Sequence, residues 1–209
     1  MLSILKIGVI LSCFVSLISL SILVTKTFSF GRKPLYAKSR QGGIRGIIYA
    51  FGRGMMPWEK ESAAKHLPTY IAGVVYHTGI FTALLYLFSL VFSFGLPDPF
   101  ISLLRILLSL ALLCGFALLA KRIFLPTIKK ISCPDDFFAN VIVDLSLVLA
   151  FVCTYTPSAA PLFFLLATIM FLYVPVGKIR HCFFFFYSRI LFGLFYGRRG
   201  VLPPKTHKI

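Results

Sequence analysis

FFANVIVDLSLVLAFVCTYTPSAAPLFFLLATIMFLYVPVG, residues 137–177, carries a single formal charge, Asp144, in 41 positions. As one α-helix it would run about 60 Å at 1.5 Å per residue, roughly twice the hydrocarbon thickness of a bilayer. The segment Thr154-Tyr155-Thr156-Pro157-Ser158-Ala159-Ala160-Pro161 divides it, because proline and small polar residues punctuate helices. The block therefore reads as two membrane-spanning helices, near 137–155 and 161–181. Working outward, Ile7–Thr25 is uncharged between Lys6 and Lys26, and 66–97 has no formal charge. Pro99–Ala120 has only Arg105. Spans near 7–28, 68–94 and 99–120 bring the expected architecture to an all-α bundle of five transmembrane helices in one integral membrane domain, 1–209.

Composition agrees. Of 209 residues 58% are hydrophobic and 13% charged, against about 45–50% and 25% in ordinary soluble domains. A soluble enzyme, a disordered basic tail and a secreted disulfide scaffold are excluded. The first apolar run is longer than a signal-peptide core and no small-residue cleavage site follows it, so it reads as an uncleaved helix.

The 22 Lys and Arg against 6 Asp and Glu give a formal charge of +16. Nine basic residues lie between Lys26 and Lys65, four between Lys121 and Lys130, and seven from Lys178 onward. For five spans all twenty fall on one side, and the two opposite loops hold none. Basic loops stay cytoplasmic, so the N-terminus is expected outside and the C-terminus in the cytoplasm, in a cell's inner (cytoplasmic) membrane. The connection 30–66 is long for a bundle. Its glycines (Gly42, Gly43, Gly46, Gly52, Gly54 among them), basic residues and Trp58 suggest a surface on which another protein docks. After His181 the aromatic run Phe183–Tyr187, with Arg189, Tyr196, Arg198 and Arg199, reads as an interfacial helix within the cytoplasmic tail 182–209. No internal repeat is evident, which argues against a transporter of inverted repeats.

The five cysteines form no C-x-x-C pair and point to no disulfide framework or iron–sulfur cluster. Among the histidines, His77 lies well inside the second span and His181 at the end of the fifth. An ionisable group in a membrane is costly without a partner. The plain readings are an interhelical hydrogen bond for His77 and an interfacial position for His181 beside Lys178 and Arg180. Ligation is the sharper one: Gly73, one turn before His77 on the same face, removes bulk where a flat macrocycle would lie. Both histidines fall in the cytoplasmic half of the bundle, so one haem could be held between helices two and five.

Two motifs on those helices carry a resemblance. Tyr76-His77-Thr78-Gly79-Ile80 and Tyr173-Val174-Pro175-Val176-Gly177-Lys178-Ile179-Arg180-His181 resemble the aromatic-His-x-Gly-aliphatic and Pro-x-x-Lys/Arg-x-x-His segments of one family. It is the membrane cytochrome b family of the respiratory nitrate reductase gamma subunit, with the membrane subunits of heterodisulfide reductase and of Dsr-type complexes. The resemblance covers most of the chain. It implies His77 and His181 as axial ligands of the haem b nearest the cytoplasmic partner, quinone as substrate, and a cytoplasmic iron–sulfur protein docking on 30–66 and the tail. Dihaem relatives carry two further histidines, which would fall at Leu87 and at or near Phe163 here. Both are missing, which implies one bis-His haem, though His66 and His207 stay open as ligands of a second. Asp144 and Arg105 are candidates for a quinone or proton site. Their plainer readings are a structural hydrogen bond and snorkelling to the outer interface. The chain supplies no nucleophile constellation of a stand-alone enzyme. The alternative function is a haem-free membrane anchor or scaffold subunit, or a small transporter.

Overall fold

The computed structural model describes residues 2–30, 39 and 42–204. All regular structure among them is helical: α1 (Leu2–Phe28), α2 (Gly43–Phe51), α3 (Glu61–Lys65), α4 (Leu67–Val91), α5 (Asp98–Phe124), α6 (Pro126–Lys130), α7 (Pro134–Cys153), α8 (Ala160–Tyr173) and α9 (His181–Arg198). Four of these, α1, α4, α5 and α7, are long and apolar enough to cross a membrane. A fifth span exists only if the stretches Pro157–Tyr173 and Lys178–Arg198 are taken as one broken span. This is the helical pattern of a multi-pass membrane protein.

The expected fifth helix, 161–181, stops early, at Tyr173. Pro175 has no N–H for the carbonyl of Phe171, and its ring crowds that carbonyl. Val174 makes the last ladder bond, to the Met170 carbonyl (2.9 Å), while the N–H groups of Val176 and Gly177 both turn back on the Tyr173 carbonyl (3.0 and 2.9 Å). His181 is therefore the first residue of α9 rather than the last of helix five. The connection 30–66 also differs from a plain loop, since it holds α2, α3 and two 3-10 turns.

The chain forms two compact units. The first comprises Met1–Ser19 and Pro68–Ile179. Its core is built from Val9, Tyr86, Leu87, Leu108, Ala111, Leu147, Phe163, Phe164 and their neighbours. Large side chains on the outer faces of the same helices stay exposed, among them Ile4, Leu11, Phe14, Ile106, Leu113, Leu165 and Leu172. Apolar residues on all sides mark helices whose solvent is lipid.

The second unit comprises Leu20–Leu67 and Arg180–Ile209. Here α2 crosses α9 with backbone against backbone. A Cβ on Gly46 would lie 2.1 Å from the Gly193 carbonyl oxygen, and one on Gly193 would lie 2.5 Å from the Cα of Ile47. Only glycine permits that approach. Gly42 and Gly46 face Gly193 and Gly197, a pair of G-x-x-x-G spacings of the kind that draws helices together. The rings of Phe185 and Phe186 meet Phe51, with centroids 6.2 Å apart in both pairs, and Tyr187 lies edge-on to Phe28 at 6.0 Å.

Candidate functional site

His77 lies in the third turn of α4 and is exposed, on a stripe with Ile71, Val74, Thr78 and Phe81. Its Nδ1 is 2.6 Å from the carbonyl oxygen of Gly73. A carbonyl only accepts, so Nδ1 carries the proton, and in the neutral ring the lone pair resides on Nε2. A ring nitrogen hydrogen-bonded to a backbone carbonyl is the usual way in which a metal-ligating histidine is oriented. A Cβ on Gly73 would meet nothing within 4 Å, so the space beside this turn is open on the face that carries the imidazole. Such a nitrogen could bind a metal ion. His181, exposed at the start of α9, belongs to the second unit, whereas His77 belongs to the first. His66 caps the end of α3 and is exposed. His207 lies outside the described residues, as do 31–38, 40, 41 and 205–209 of the expected docking segments.

Leu87 and Phe163, where a second pair of histidines would stand, are 1% and 2% exposed. They line one small apolar cavity of about 20 Å³, shared with Ala83, Leu147 and Met170. That volume is about one water molecule's worth. Positions 87 and 163 thus line one cavity with apolar walls, too small for more than a water molecule.

The other intramembrane charges have separate partners. Asp144 is 3% exposed. Its Oδ1 accepts from the Tyr76 hydroxyl (2.7 Å) and its Oδ2 from the Asn140 amide (2.9 Å). Gly115 of α5 makes room for this pair: a Cβ there would lie 2.4 Å from Oδ1 and 2.6 Å from the Tyr76 ring. Arg105 is half-buried at the far end of α7. Its Nη2 donates to the Thr154 carbonyl (2.5 Å), its Nε to the Thr154 hydroxyl (3.2 Å), and its Cζ stands 3.9 Å from the centre of the Tyr155 ring. A cation on the unpaired carbonyls of a helix C-terminus complements their negative end.

Sequence reasoning missed three groups. Tyr76 and Asn140 satisfy Asp144, and Asn140 was visible one turn before it on the same face. Lys178 of the second motif ion-pairs with Asp136 (2.6 Å), which also binds Arg122 (2.9 Å). Asp135 takes the Tyr173 hydroxyl and the backbone N–H of Lys178. Gly42, Gly43 and Gly46, whose contact with α9 was not foreseen, lie against Gly193, Leu194 and Gly197. Among the described residues no side-chain nitrogen or oxygen is buried without a partner, and no group of three or more His, Cys, Asp or Glu could hold a metal ion. An axial haem pair needs only two. No protein family, curated protein or solved structure matches the chain.

Proposed function

We propose that the chain is a haem-b membrane subunit that carries electrons between membrane quinone and a cytoplasmic iron–sulfur partner. His77 and His181 would hold the haem iron and Gly73 would leave room for the macrocycle. The observation that carries the reading is the His77 ring, held through Nδ1 on a spanning helix with Nε2 as the basic nitrogen and open space one turn away. The two motifs resembling the nitrate reductase gamma-subunit family support it. Packing at Leu87 and Phe163 supports a single haem. When bound, a bis-imidazole haem takes up and releases one electron at a time. The chain's part is to hold it by two imidazoles and keep it in hydrocarbon.

With α8 and α9 taken as one broken fifth span, the distribution of twenty basic residues supports an outside N-terminus and a cytoplasmic C-terminus in a cell's inner membrane. Their charge would receive an acidic partner on 30–66 and the tail. Of the two remaining intramembrane charges, Asp144 is assigned to proton handling for the quinone. Arg105, engaged with the end of α7, would act on a quinone oxygen only after leaving Thr154.

A dithionite-reduced spectrum of the purified chain tests this. The expected result is a b-type spectrum lost in His77→Ala and in His181→Ala; a colourless protein overturns the reading. Two haems per chain would place a ligand at His66 or His207. The competing reading, a haem-free membrane anchor or scaffold, is favoured by the water-sized cavity of the first unit and predicts that colourless protein.

A further inference from the structure

The second unit is strongly basic, and its carboxylates are already engaged. Glu59 binds Arg53 (2.5 Å) and the Tyr49 hydroxyl (2.8 Å), and Glu61 binds Lys65 (2.6 Å). Arg45, Lys60, Arg189, Arg198 and Arg199 have no carboxylate within ion-pair reach among the described residues. Lys60 and Arg189 are both half-buried. The Lys60 ammonium rests 3.9 Å from the Met55 sulfur, and the Arg189 guanidinium stands 5.6 Å from the Phe185 ring centre. Burial, and then the nearby Arg189 charge, push the Lys60 ammonium below its ordinary range. Two cations so placed create a local demand for an anion.

The same unit exposes large apolar side chains. Ile44 and Ile48, one turn apart on the side of α2 away from the glycine crossing, are 75% and 67% exposed, and Trp58 is 70% exposed. Exposed apolar side chains and unmatched cations in one unit are the composition of a surface that meets an anionic bilayer. The chain runs into this unit directly from candidate spans, since α1 continues to Phe28 and α4 begins at Leu67, seven residues after Lys60. We propose that Lys60 and Arg189 hold the phosphate of an anionic phospholipid, with Trp58 and the Ile44–Ile48 face of α2 seated at the boundary of its acyl chains. The acidic partner proposed on 30–66 and the tail would meet basic residues other than Lys60 and Arg189. A phospholipid brings phosphate and hydrocarbon in one molecule.

Trp58 is the only tryptophan in the chain, so its fluorescence reports on this site alone. The full chain is placed in nanodiscs of phosphatidylcholine containing a fixed fraction of phosphatidylglycerol, with bromine near the ester end of the acyl chains of one lipid or the other. The expected result is quenching at least about twofold stronger by brominated phosphatidylglycerol than by brominated phosphatidylcholine at equal mole fraction. In K60Q/R189Q that ratio falls to about one while quenching by both lipids persists. Emission insensitive to brominated lipid but open to aqueous iodide overturns the proposal, as does emission shielded from both, which indicates a protein cover. A preference that survives K60Q/R189Q overturns the phosphate site. If the double variant does not fold, K60Q and R189Q singly carry the test, each expected to reduce the ratio. The readout needs no haem, so its failure and that of the electron-transfer reading are distinguishable.

Discussion

The first unit holds seven basic and four acidic residues, a net +3, while the second holds fifteen and two, a net +13, counted over their sequence ranges. In the first, each acid has structural work. Asp98 opens α5, where a carboxylate favours the helix dipole, Asp135 and Asp136 fasten Tyr173, Lys178 and Arg122, and Asp144 closes the Tyr76–Asn140 network. Its helices are joined by interlocking Leu, Phe and Ala side chains. The second unit is joined by bare backbone at four glycines and by ring edges, and most of its cations among the described residues lack a carboxylate. One unit is built to satisfy its polar groups internally. The other leaves positive charge and apolar side chains for its surroundings to satisfy.

Substitution at the glycine crossing should separate the two units most sharply. Gly46→Leu must push α2 off α9, a backbone clash costing about 3 kcal/mol or more. Trypsin should then cut between Arg45 and Lys60, and Trp58 emission should shift, while the first unit melts as before; an unchanged digest would show that the crossing is not what joins α2 to α9. In the first unit, Phe163→Ala enlarges the cavity beside Leu87. Lipid is as apolar as the core, so mainly the cavity cost remains, about 2–3 kcal/mol, read as an earlier SDS unfolding midpoint with the Trp58 signal intact. Asp144→Ala strands the Tyr76 hydroxyl and the Asn140 amide and should cost about 1–2 kcal/mol. Asp144→Asn should restore most of it, and equal losses in both variants would mean that the charge itself is required.

The smallest effect belongs to Glu59. Hydrogen bonds from Tyr49 and then Arg53 hold its carboxyl below the ordinary 4.5. A depressed carboxylate contributes stability above its unfolded value and loses it as pH falls through the folded one. Glu59→Gln should therefore narrow the difference from the parent chain as pH drops below 4.5, with the change confined to trypsin sensitivity of the second unit.

The four long helices were legible because membrane-spanning length and apolarity are local properties of the chain. Their ends came within a few residues at 7–28, 68–94, 99–120 and 137–155. Pro175 was legible too, but the apolar run masked it: hydropathy is indifferent to a missing N–H, and the helix is not. Within the site, His77 and Gly73 were readable from their one-turn spacing, whereas Tyr76 to Asp144 joins residues 68 apart and depends on a glycine on a third helix. The glycine pairs 42/46 and 193/197 carried a readable spacing. Their partnership was hidden because each half lies in a basic, aromatic segment that composition assigns to a surface.

The same crossing has a consequence for biogenesis. Everything the first unit needs has been synthesised by residue 179, but α2, made near the start, meets its partner only when Gly193 and Gly197 emerge. At roughly 5–20 residues per second, the intervening stretch of about 150 residues leaves the glycine face of α2 uncovered for about 7–30 s. During that interval the nascent chain offers a bare helix backbone to any neighbouring helix.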